Sequence, residues 1–110
     1  NCGQRGVLGK YCLHFHLKSI CEECEFSNNA IEESHQRGIV VHGTHRSVVH
    51  SNVLWKVRGA NIYIEDGNEM ENLIQDNVAI CDADSSTGEK GCAAPGTDNE
   101  QSDNIQLSGI

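Results

Sequence analysis

Apolar and polar residues alternate in short runs through the first part of the chain, and the runs recur. Leu13-His14-Phe15-His16, Ile39-Val40-Val41-His42 and Ile62-Tyr63-Ile64-Glu65 each place apolar residues first and third. That two-residue period belongs to a strand with one buried face. A second block follows in each copy: Cys24-Glu25-Phe26-Ser27-Asn28, Val48-Val49-His50-Ser51-Asn52 and Leu73-Ile74-Gln75-Asp76-Asn77. Apolar runs such as Val53-Leu54-Trp55 and Val78-Ala79-Ile80 come after the asparagine. The copies are offset by 26 and 23 residues in the first block and by 24 and 25 in the second. No segment sustains an i, i+3, i+4, i+7 stripe, and only Ala30 to Gln36 could form a helical turn. A repeat of about 20–30 residues with short strands and Asn or Gly corners predicts a β-solenoid. The expected fold is therefore all-β, a right-handed parallel β-helix of about three coils within residues 1–81.

Equivalent residues of successive coils then stand about 4.8 Å apart, and columns become ladders. Leu13/Ile39/Ile62 and Phe15/Val41/Ile64 are the expected inward columns. Asn28, Asn52 and Asn77 are expected to stack as an amide ladder at one corner. Facing outward are His14, Val40 and Tyr63 in one column and His16, His42 and Glu65 in the next.

Composition supports thin stacked coils. Gly (11), Asn (10), Ile (9) and Val (8) are abundant, aromatics are 5%, and there is one proline. Sixteen acids against eight bases leave a net charge of −8, which argues against a binder of nucleic-acid backbones. No apolar run approaches the roughly 18 residues of a membrane span, and no signal peptide is visible. The charge is uneven: residues 1–80 carry a net −3 and residues 81–110 a net −5. Residues 82–104 read as an acidic solvated loop and 105–110 as the start of a further coil. That continuation makes the chain, on this reading, a piece of a longer solenoid.

The outward column carries the chemistry. His16, His42 and Glu65, with Asp66 in the next turn, are the candidate catalytic residues, since His and Glu side by side suit general acid–base work. His14, His16, His42, His45 and Glu65 could hold a divalent metal ion through neutral imidazole and carboxylate. His35 and His50 fall outside the column and are read as structural.

Phe15-His16, His42-Gly43-Thr44-His45 and Glu65-Asp66-Gly67, with the phrase Gly38-Ile39-Val40-Val41-His42-Gly43-Thr44, carry a family resemblance. In this order and at these intervals they resemble the parallel β-helix (PbH1) region of G8-domain extracellular proteins, the cell-surface hyaluronidase and fibrocystin-like family. The resemblance spans about residues 6–81. It implies a secreted or cell-surface β-helix and, for some members, hyaluronan binding or depolymerisation. Its motifs fall on His14, His16, His42, Glu65 and Asp66.

Six cysteines in 110 residues suit an oxidising compartment. Cys81 and Cys92 bracket a short polar loop and are expected to form a disulfide. Cys2, Cys12, Cys21 and Cys24 allow three pairings; a four-thiolate zinc site is the weaker alternative, for want of a second CxxC. Two functions follow. One is a structural, adhesive or glycan-binding extracellular module in a larger surface or secreted protein. The other is a carbohydrate-active, hyaluronidase-like domain that depolymerises a polysaccharide. An acidic surface repels a polyanion unless a metal or Arg37, Arg46 and Arg58 compensate.

Overall fold

A computed structural model describes residues 2–81 and 91–92. Nine short strands occur in it: β1 (Leu13–Ile20), β2 (Glu25–Ser27), β3 (Ala30–Ser34), β4 (Ile39–His45), β5 (Val48–His50), β6 (Val53–Val57), β7 (Ile62–Ile64), β8 (Leu73–Gln75) and β9 (Val78–Ile80). They form three parallel sheets, ordered β1-β4-β7, β2-β5-β8 and β3-β6-β9. Each pass of the chain thus lends one strand to every sheet, and the next pass lies beside it. The all-β architecture matches the expectation.

Registration follows the repeat. Leu13 pairs with Ile39 and Ile39 with Ile62; Phe15 pairs with Val41 and Val41 with Ile64. Phe15, Ile31, Ile39, Val41, Val49, Leu54, Val57 and Ile62 form the buried core, with Leu13, Phe26, Ile64 and Ile74 packed against it. β-Branched side chains stand well on a pleated surface, which is why so thin a core is built mainly from Ile and Val. Phe15 of β1 and Phe26 of β2 stack face to face, their ring centroids 3.8 Å apart.

Three expectations are corrected. Ala30 to Gln36 holds no helical turn. Ile31 pairs with Leu54 and Ser34 with Val57, so the segment is the strand β3, and cross-pass pairing overrides its local helical character. The amide ladder runs through Asn29, not Asn28. Glu25 pairs with Val48, an offset of 23 residues, which sets Asn28 opposite Ser51 and Asn29 opposite Asn52. Asn28, Ser51 and Asp76 instead make the corner itself, with φ of 58, 57 and 54°. Asn and Asp tolerate that left-handed backbone better than most side chains. Finally, Val40 is fully buried although its column faces outward. Its neighbours in that column are His14, met edge-on by the Tyr11 ring, and Tyr63, under the Arg37 guanidinium.

The cysteines pair as Cys2–Cys12, Cys21–Cys24 and Cys81–Cys92. The first of these resolves the open pairing, and the four-thiolate zinc alternative falls because every sulfur is oxidised. Apart from Gly91 and Cys92, the acidic segment 82–104 and the segment 105–110 lie outside the described residues.

Candidate functional site

The site lies on the outer face of the β1-β4-β7 sheet. His16 pairs directly with His42. β7 ends at Ile64, yet the Glu65 N–H still donates to the Val41 carbonyl at 2.9 Å, so Glu65 continues the column. Parallel pairing therefore stacks two imidazoles and a carboxylate, as the period of two requires.

His42 is the hub. Its Nδ1 is 3.1 Å from Nδ1 of His16 and 3.7 Å from Oε2 of Glu65. Its Nε2 lies 3.3 Å from Oδ2 of Asp66. Consecutive residues on an ideal strand point to opposite sides, but Asp66 lies in the bend beyond β7 and turns back toward His42. His14 completes the group, its ring stacked 6.1 Å from that of His42 and tilted 5.0 Å from that of His16. Ring nitrogens of His14, His16 and His42 all lie within 4.8 Å of one another.

Burial lowers the pKa of His14, and the nearby His16 and His42 reinforce the shift; a backbone hydrogen bond at Gly9 and the charge of Glu65 oppose it. His14 thus favours its neutral form, the one with a free nitrogen lone pair. Two atoms at the site are buried without a hydrogen-bond partner, His14 Nε2 and Glu65 Oε2.

A wall of side chains outside the candidate catalytic and metal-binding sets frames the cluster. Arg37 Nη1 donates to the Tyr11 hydroxyl at 3.0 Å, and that hydroxyl donates to Glu65 Oε1 at 3.4 Å. The Tyr11 ring meets His14 edge-on at 4.8 Å, and the Arg37 guanidinium sits 4.0 Å above the Tyr63 ring. The period gave no signal for them: Tyr11 and Arg37 stand two positions before the inward Leu13 and Ile39, yet outside the strands their side chains meet the outward groups His14, Tyr63 and Glu65.

Glu69 is the other residue the pattern does not mark. Its Oε1 accepts from the amides of Gly43 at 3.0 Å and Asp66 at 3.1 Å, tying the bend that carries Asp66 to the neighbouring pass. Burial acts to raise its pKa, but these and other backbone donors outweigh it and hold the carboxyl below the usual range. Hydrogen bonds to a charged group are worth about 1.5–3 kcal/mol each in favourable cases. Glu69→Ala is expected to lower the unfolding free energy by about 1–2 kcal/mol in urea titration. It should also shift the His42 ring resonances, because Asp66 loses its anchor; Glu69→Gln should do less.

The other histidines lie elsewhere. His45 Nδ1 accepts the Met70 amide at 2.9 Å, outside the three-histidine group. His50 pairs with Glu25 at 3.1 Å on the second sheet, and His35 follows β3. Of the three bases, Arg37 borders the site, Arg46 bridges Glu22 and Glu71, and Arg58 is buried.

The profile of the CEMIP β-helix family matches residues 1–107 of the chain. The chain belongs to this family. Among its relatives are the Dictyostelium discoideum protein rliB, 38% identical over 77 residues, and mouse fibrocystin-L, 36% identical over 86 residues. These alignments cover 70% and 73% of the chain, but only 7% and 2% of the relatives. A Dictyostelium discoideum G8 domain-containing protein is 36% identical over 77 residues, covering 70% of the chain and 5% of that relative. The expected kinship with G8-domain and fibrocystin-like proteins is thereby established. The chain spans a small fraction of the length of the curated relatives it matches, and no solved structure matches it at a significant level.

Proposed function

We propose that the three sheets close into a right-handed parallel β-helix of about three coils. The chain would serve as a structural, adhesive or glycan-binding module of a larger extracellular protein, secreted or at the cell surface. The observation that carries this reading is its scale: it corresponds to 2–7% of long fibrocystin-like and G8-domain relatives. Three disulfides in so short a stretch add support, since they persist in oxidising compartments. Among the described residues no helix is long and apolar enough to cross a membrane.

One observation favours a second reading. Glu65 and Asp66 both reach His42, so a proton donor and acceptor pair could act on a glycosidic bond in a hyaluronidase-like reaction. A net charge of −8 disfavours an anionic polymer there. The chain is to be incubated with hyaluronan and with neutral glycans, then polymer length and retention on immobilised glycan measured. The module reading expects unchanged polymer length. Shortening of hyaluronan that vanishes in His42→Ala would establish the enzyme instead.

A further inference from the structure

We propose that His14, His16 and His42 bind one divalent transition-metal ion, Zn2+ by ligand preference, with Glu65 as the fourth ligand and Asp66 orienting His42. The site stands whether or not the chain binds a glycan.

Geometry comes first. Zinc bonds imidazole nitrogen at about 2.0–2.1 Å, and tetrahedral angles then set ligand atoms about 3.3 Å apart. The Nδ1 atoms of His16 and His42 are already 3.1 Å apart, and Glu65 Oε2 is 3.7 Å from the latter. The three-histidine group spans at most 4.8 Å, and His16, being exposed, can rotate to close the rest.

The hydrogen bonds point the same way. A metal-binding imidazole usually donates its other N–H to a carboxylate or backbone carbonyl, which fixes the tautomer. Asp66 Oδ2 takes that place on Nε2 of His42, leaving Nδ1 directed at His16 and Glu65. His14 Nε2 is buried beside them with no hydrogen-bond partner.

The unpaired atoms add a reason of their own. Buried polar atoms normally find partners, yet His14 Nε2 and Glu65 Oε2 have none in the same cluster. A cation between them would satisfy both. The donor set selects the metal class: imidazole nitrogen suits Zn2+, Cu2+ or Ni2+, whereas Ca2+ and Mg2+ want several oxygens.

The test uses the whole oxidised chain, stripped with a chelator and titrated with Zn2+ alone in a calorimeter. One equivalent should bind with micromolar or tighter affinity. Histidine ring nitrogens should report it by NMR in the unaltered protein, with shifts at His14, His16 and His42 and none at His50. Co2+ in place of Zn2+ should give the visible absorption of a four-coordinate site. His42→Ala should weaken binding about tenfold or more, while His35→Ala should not. Absence of saturable binding, or shifts centred on His50 or His45, would overturn the proposal. So would affinity undiminished in a folded His16→Ala, His42→Ala double variant. Because the NMR reading needs no variant, a misfolded substitution does not rescue the idea.

Discussion

Asn52→Ala is expected to lower the unfolding free energy by about 3 kcal/mol, and the melting temperature by roughly 15 °C. Asn52 is completely buried, and its amide works in both directions along the stack. Oδ1 accepts from the backbone N–H of Asn29 at 3.0 Å and from its Nδ2 at 2.9 Å. Nδ2 donates to the Phe26 carbonyl and to Asn77 Oδ1, both at 2.9 Å. Alanine strands groups in the first and third passes at once, and buried groups without partners cost about 1–3 kcal/mol each. Asn52→Asp should be no milder at neutral pH, because a carboxylate cannot donate to either oxygen and would face both. Burial among acceptors raises that carboxyl's pKa, so the protonated form binds best. Stability of Asn52→Asp should therefore recover as the pH falls. Asn28→Ala, by contrast, should cost about 1 kcal/mol, the penalty of a left-handed backbone without an Asn side chain. Urea unfolding of the three variants checks the ranking; equal losses for Asn28 and Asn52 would disprove the ladder through Asn29.

Gly38→Ala is expected to lose about 3 kcal/mol, and for another reason. Its φ is not in the left-handed region, so the objection is contact. An added Cβ would stand 2.5 Å from the Asn61 carbonyl oxygen and 2.6 Å from Cδ2 of Leu54. A side chain can turn away, but the Asn61 oxygen belongs to the ladder, where it accepts the Ile39 N–H at 2.8 Å. Moving it breaks the bond that brings the second and third passes together at the start of β4 and β7. The contrast is Gly67, with φ of 74° and nothing within 4 Å of the added atom. Gly67→Ala should cost only about 1 kcal/mol, through backbone strain alone. Thermal unfolding by circular dichroism separates the two; similar melting points would mean the Gly38 backbone adjusts freely.

The largest part of this architecture is local in origin and was legible in the residue order. Alternation in Leu13–His16, Ile39–His42 and Ile62–Glu65 dictates which side chains enter the core, since a strand has only two faces. The offsets of 26 and 23 then align His16, His42 and Glu65, because parallel pairing repeats the same residue at every pass. Periodicity therefore determined the core columns of this sheet and the column of titratable groups.

What depended on contacts between distant residues was not legible. Asn28 and Asn29 are the same residue type side by side, and only pairing of Glu25 with Val48 decides which one turns the corner and which one stacks. Val40 follows the outward phase but is buried, standing between His14, which Tyr11 meets, and Tyr63, which Arg37 covers. The partners of Cys2 and Cys21 are distances, which spacing does not express. Asp66 reaches His42 because the chain bends after Ile64 and Glu69 pins that bend to Gly43. The sequence by itself determined which faces the residues take, through the fixed geometry of the strand. The tertiary structure alone decided register at the corners, cover over the outer face and convergence of side chains, because each is set by groups that meet only after the passes have stacked.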